Sequence, residues 1–165
     1  MIAVSNTTPL RYLIALDQEH LHGQLFERVF VPAAVHAELT DERTAEKVRR
    51  RVLSLPAWFE VHTAQLTASA SFLVTLHRGE REAILLAESL PADVLLMDEQ
   101  MGRMVALGRN LSLSGTLGVL ERADAIGLLS DFPLLLEQLK ARGFFIADSL
   151  KQLLLQRHRA RRAAK

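Results

Sequence analysis

Asp98 and Glu99 stand directly after the apolar run Val94-Leu95-Leu96-Met97 and directly before a helix-like segment. A buried strand of an α/β sheet reads as such a run, and open parallel sheets carry ligand and catalytic groups at the carboxyl ends of their strands. Other polar side chains fall at comparable places. Asn6 follows Ile2-Ala3-Val4, Thr116 follows the weak apolar stretch near Leu111 to Leu113, and Glu80 and Glu82 open a helix after Gly79. Glu38 lies beside Leu39 on an otherwise apolar helical segment. Acids gathered without basic partners raise one another's pKa. A hard divalent cation removes that penalty and prefers carboxylate oxygen. Such an ion activates water and stabilises a phosphoryl transition state, so these residue types in these places point to a metal-dependent site.

Each residue also fits a plainer role. Asp98 and Thr116 suit helix N-caps, and Asn6 suits a turn. Glu80 and Glu82 complement a helix dipole at about 0.3–1 kcal/mol each, and Glu38 suits a solvated helix face. Competing chemistries find less support. The chain has no Walker-type phosphate loop, no GxGxxG after its first strand and no nucleophile elbow. His20, His22, His36, His62 and His77 lack metal-ligand spacing, and the first two read as polar helix surface.

The elements that must position these groups alternate. Ile2–Val4 reads as a strand, followed by a helix opened by Pro9 with Leu10, Leu13, Ile14 and Leu16 on its apolar face. A short helix over His20–Leu25, a strand over Val29–Val31 and a helix through Val35 and Leu39 come next. A long charged helix over Glu42–Leu53 precedes a strand at Trp58–Val61. Helices are expected over Ala68–Leu76 and Glu80–Leu90, then the Val94–Met97 strand, a helix over Gln100–Leu107 and a weak strand at Leu111–Leu113. The remainder is helical in pattern, broken at Asp131-Phe132-Pro133 and Arg142-Gly143. Strands alternating with helices indicate a parallel sheet covered on both faces.

Bulk composition narrows the classes. At 165 residues the chain fits one domain, expected over residues 1–156, with a basic tail over 157–165. The absence of cysteine excludes thiol chemistry, zinc–thiolate sites and disulfides. An aromatic fraction of 5% argues against an aromatic stacking platform for bases. No apolar run approaches the roughly 20 residues of a membrane span, and no signal-peptide pattern opens the chain, so a cytoplasmic location is expected. Net charge is only +1, yet Arg157, Arg159, Arg161 and Arg162 crowd the end of the chain. Broad leucine stripes at Leu134–Leu139 and Leu150–Leu155 suggest helices buried on more than one side, and hence a homodimer.

Taken in order, Val4-Ser5-Asn6-Thr7-Thr8-Pro9-Leu10, Val31-Pro32 with Val35 and Glu38-Leu39, Gly79-Glu80-Arg81-Glu82-Ala83-Ile84, Leu95-Leu96-Met97-Asp98-Glu99 and Gly115-Thr116-Leu117-Gly118 resemble the PIN-domain nucleases. The resemblance is to a VapC-toxin-like branch that tends to end in a segment similar to Leu139–Ile146. It implies a three-layer α/β/α fold around a central parallel sheet, Mg²⁺ or Mn²⁺ binding and cleavage of single-stranded RNA. Family acids carry over to Glu38, Glu82 and Asp98, with Thr116 as the helping hydroxyl. Asn6 stands where the family's first aspartate is usual, which removes one negative charge from the metal set. The expectation is a metal-dependent ribonuclease, the toxin of a toxin–antitoxin pair, with Arg103, Arg109, Arg157 and Arg159 attracting RNA phosphates. The alternative is a catalytically weak or inactive PIN-like module that binds RNA or a protein partner.

Overall fold

The computed structural model describes residues 1–65 and 75–164. It divides into two compact units, Met1–Thr116 and Leu117–Lys165. In the first, five strands form an all-parallel sheet in the order β3-β2-β1-β4-β5, with helices on both sides. The strands are β1 (Ile2–Ser5), β2 (Arg28–Pro32), β3 (Phe59–His62), β4 (Val94–Leu96) and β5 (Leu113–Ser114). β1 is central, pairing Val4 with Phe30 of β2 on one side and with Leu95 of β4 on the other. Its Ala3 and Val4 are fully buried, as expected of a strand covered on both faces.

The connecting helices are α1 (Thr7–Ala15), α2 (His20–Leu25), α3 (Ala33–Thr40), α4 (Glu46–Val52), α5 (Arg78–Ser89) and α6 (Gln100–Gly108). α5 packs on β1, β2 and β4. It buries the unbroken run Ala83–Ala87, which joins Val4, Phe30, Leu95 and Met97 in one apolar cluster. That packing fixes the first turn of α5, which carries Glu80 and Glu82, relative to the carboxyl edge of the sheet.

Three expectations need correction or relocation. The charged helix starts at Glu46, not Glu42, because local side-chain bonds hold the preceding residues in a turn. Asp41 Oδ1 accepts from the Arg43 N–H at 2.9 Å, and Thr44 Oγ1 donates to the Glu38 carbonyl at 2.7 Å. His22 is fully buried rather than on a polar surface. Its Nδ1 faces the Glu19 carbonyl at 3.2 Å and its ring stacks on Trp58, while burial lowers its pKa to about 4. The helix expected over 68–76 lies, up to residue 74, outside the described residues.

The second unit holds α7 beyond its first residue (α7 is Thr116–Ala125), α8 (Phe132–Ala141) and α9 (Asp148–Ala163). Asp131 caps α8 by accepting from the Leu134 N–H at 2.9 Å. The basic segment from Arg157 continues α9 as helix. Buried Asp124 on α7 accepts from Arg161 Nη2 at 2.7 Å and faces His158 Nδ1 at 2.8 Å. These bonds clasp the end of the chain to α7.

Candidate functional site

The sheet order reverses at β1. The chain builds outward through β2 and β3, then returns to lay β4 on the opposite side of β1. Such a switch leaves a crevice at the carboxyl ends of the two strands where the order reverses. Asn6 leaves β1 there, its backbone N–H donating to the Leu96 carbonyl at 2.9 Å. Met97, Asp98 and Glu99 leave β4 beside it.

Asn6 is 3% exposed, and its side chain does not cap α1. Instead Nδ2 donates to Glu99 Oε2 at 2.9 Å, while Thr8 Oγ1 donates to the other Glu99 oxygen. Asp98 likewise does not cap α6, whose first turn it precedes. Its Oδ1 accepts from the Thr116 N–H at 2.9 Å and its Oδ2 from Thr116 Oγ1 at 2.6 Å. Gly115 makes this approach possible, since a Cβ there would run into Asp98 Oδ1. Arg103 Nη1 donates to the carbonyls of Met97 at 2.7 Å and Ser114 at 3.1 Å, tying the ends of β4 and β5 together.

Burial raises the pKa of Asp98. The two Thr116 donors work against that rise, Glu99 adds to it and Arg103 opposes it. Asp98 and Glu99 thus draw their hydrogen bonds from neutral donors, and neither forms an ion pair among the described residues.

The helical acids lie on the α3 and α5 side. Glu38 is exposed on α3, accepts from Thr7 Oγ1 and lies against Gly79 in the first turn of α5. Glu82 is buried, with one oxygen held by Arg78 Nε at 2.7 Å and the other by the Ala34 N–H at 3.1 Å. Glu80 closes a capping box, accepting from the His77 N–H at 2.8 Å. The structure therefore brings Asn6 to Glu99, Thr116 to Asp98, and Glu38 to Thr7, the neighbour of Asn6. Glu82 joins α5 to α3. Among the described residues, no three His, Cys, Asp or Glu side chains draw together closely enough to form a ready metal cage.

A family model described as a PIN domain matches residues 2–160, almost the whole chain. The chain belongs to the PIN-domain family. No curated protein matches it. Membership brings a nuclease-type fold and suggests RNA binding, and PIN domains are generally divalent-metal-dependent nucleases.

Around Asp98 and Glu99 the donors of this PIN domain fit a hard cation in chemistry and in sign, whereas Glu82 is already ion-paired with Arg78. They are carboxylate, amide and hydroxyl oxygens, and the charge of Asp98 and Glu99 has no cationic ion-pair partner among the described residues. Pattern reading places Glu99 at the strand end without pairing it to Asn6, and misses Thr7 and Thr8 as site residues. The contact of Thr8 with Glu99 spans 91 positions, and no periodicity encodes it. Of the basic residues expected at RNA, Arg109 is held by Glu88 through Nε at 2.5 Å and Nη2 at 2.8 Å, which raises its pKa. Arg157 pairs with Glu121 at 3.1 Å, and Arg159 is exposed. Among the described residues no helix is long and apolar enough to cross a membrane.

Proposed function

We propose that this PIN domain is a Mg²⁺- or Mn²⁺-dependent endoribonuclease and the toxin of a cytoplasmic toxin–antitoxin pair. The reading rests chiefly on one observation: Asp98 and Glu99 leave β4 beside Asn6, at the crevice where the sheet order reverses. A bound divalent ion supplies charge neutralisation and an activated water for phosphodiester hydrolysis. Asp98, Glu82 and Glu38 are the residues that would hold it, with Asn6 lending a neutral amide oxygen. Thr116 keeps Asp98 in one orientation through its two donors. Arg103, Arg109, Arg157 and Arg159 bring phosphates to the protein, Arg109 and Arg157 by exchanging a carboxylate partner for a phosphate. The test is cleavage of mixed RNA substrates with Mg²⁺ or Mn²⁺ against an Asp98→Ala control. Equal activity in the two proteins removes the assignment.

Asn6 favours a second reading, a catalytically silent PIN module that binds RNA or a protein partner. An amide in place of a carboxylate weakens the hold on a dication, since two unit charges about 4 Å apart interact by about 4 kcal/mol at an effective dielectric near 20. Calorimetric titration separates the readings, because an active site binds Mn²⁺ and a silent one does not.

A further inference from the structure

At the amino edge of the sheet, opposite the acids, α2 leads into β2, and Trp58 directly precedes β3. A cleft of about 450 Å³ opens there, lined by Glu19, Gln24, Arg51, Ser54 and Trp58 among others. Trp58 is the only tryptophan of the chain, and three neighbours fix its ring. The buried His22 ring stacks against it with centroids 5.9 Å apart and planes 16° apart. Phe59 meets its edge at 87°. Gly23 leaves room for it, since a Cβ there would come within 2.5 Å of the indole. The ring is only half-buried and forms part of the cleft wall.

Glu19 is the acid in the lining of this cleft. It is 8% exposed, and Arg51 Nη1 donates to its Oε1. Its Oε2 is buried without a hydrogen-bond partner among the described residues. A buried acceptor left unpaired is costly and calls for a donor from outside the chain. Next to this cleft lies a second, of about 770 Å³, that shares Arg51 and Ser54 and adds Lys47 and Arg50. Lys47 and Arg51 are partly neutralised by Asp17 and Glu19, whereas Arg50 is 76% exposed and, among the described residues, pairs with Glu46 alone, at 3.8 Å. An aromatic face and a cationic neighbour are contacts that hold a nucleotide unit of a single strand, and the unpaired Glu19 oxygen adds a demand for a donor on the base.

We infer that this cleft binds a nucleotide whose base carries an exocyclic amino group. The base stacks on Trp58, the Glu19 carboxylate turns toward the cleft so that Oε2 accepts from the base's amino group, and the phosphate lies toward Arg50 and Arg51. The low aromatic content excludes an extended stacking platform, not a single stacking residue. The site is independent of the acids at the carboxyl edge, so it stands whether or not the protein cleaves RNA.

Two nucleotide pairs test the amino contact: cytidine against uridine monophosphate, and adenosine against inosine monophosphate. Each pair exchanges an exocyclic amino group for an oxo group, and the neighbouring ring nitrogen changes with it from an acceptor to an N–H placed one atom further round the ring. Titrations in chelator-treated, metal-free buffer, read by Trp58 fluorescence and by calorimetry, are expected to show the amino member of each pair binding about ten- to a hundredfold tighter. Glu19→Gln is expected to narrow that preference. Equal affinities within each pair in the unaltered protein, or no saturable response, would overturn the inference, and neither outcome depends on whether the variant folds.

Discussion

Asn6 Nδ2 donates to Glu99 Oε2 at 2.9 Å, joining residues 93 positions apart across the carboxyl ends of β1 and β4. The amide does here what a carboxylate cannot, since it gives a hydrogen bond to an acid. Thr8 adds a second donor to the same carboxylate. Position 6 is thus neutral in this chain, and the carboxylate its side chain meets is Glu99, one strand over.

Asn6→Asp sets two carboxylates against each other. Without metal the variant is expected to unfold at lower temperature, with repulsion of up to about 4 kcal/mol if both acids stay ionised. Mn²⁺ is expected to restore the loss and to bind more tightly than in the unaltered protein. Thermal melts with and without Mn²⁺, together with calorimetry, read both effects. Unchanged metal affinity in the variant would refute the account of the missing charge.

Burial raises the pKa of Asp98, so the folded state holds its proton to higher pH than the unfolded chain does. Between the unfolded pKa, about 3.9, and the raised folded one, the native state binds more protons, and stability from this group falls as pH rises. Above the folded pKa the full cost of a buried ionised carboxyl remains. Asp98→Asn removes it while keeping an oxygen for Thr116. The variant is expected to be more stable at neutral pH, by on the order of 1 kcal/mol, with the gain fading as pH falls toward 4. Denaturant melts across that range measure it, and RNA cleavage by the same variant should be lost.

The sheet was legible because its central strands are short continuous apolar runs. Val29–Val31 is one residue shorter than β2 at each end, and Val94–Met97 starts with β4 and runs one residue past it. The helices over 20–25 and 100–107 were equally plain, since periodicity is a local property. The start of α4 was not, because Asp41 and Thr44 divert the backbone through side-chain bonds that apolar spacing does not register. The site divides in the same way. The acid after β4 announced itself by its place at a strand end. The roles of Glu99, Thr7 and Thr8 depend on which strand lies beside β1, and strand order is a property of the fold.

Leu134 on α8 and Leu150 and Leu153 on α9 are 50%, 39% and 42% exposed, and Phe145 between the helices is 86% exposed. Leu135, Leu136, Leu139 and Leu154 are buried, so only part of each leucine stripe is covered within one chain. If these residues meet a second copy, light scattering at micromolar concentration gives the mass of two chains, and Leu153→Glu with Phe145→Glu returns it to one. A single-chain mass in the unaltered protein counts against the dimer.

Four arginines are proposed to meet RNA, and their surroundings rank them. Arg109 is gripped at two points by Glu88, which a phosphate must displace, so Arg109→Gln is expected to lower RNA affinity less than Arg159→Gln does and to change stability by no more than about 1 kcal/mol. Deleting residues 157–165 would confound binding with folding, because Arg161 and His158 hold buried Asp124. Arg159 offers the cleaner test. It is exposed on α9, clear of that clasp. If it contacts a phosphate, Arg159→Gln lowers RNA affinity and reduces the slope of log affinity against log salt by about 0.7, the contribution of one contact to a single strand. Mn²⁺ binding and melting temperature should stay as they were. An unchanged slope would mean that the basic end of α9 serves solubility and the clasp on α7, and that RNA is drawn to the protein by other residues.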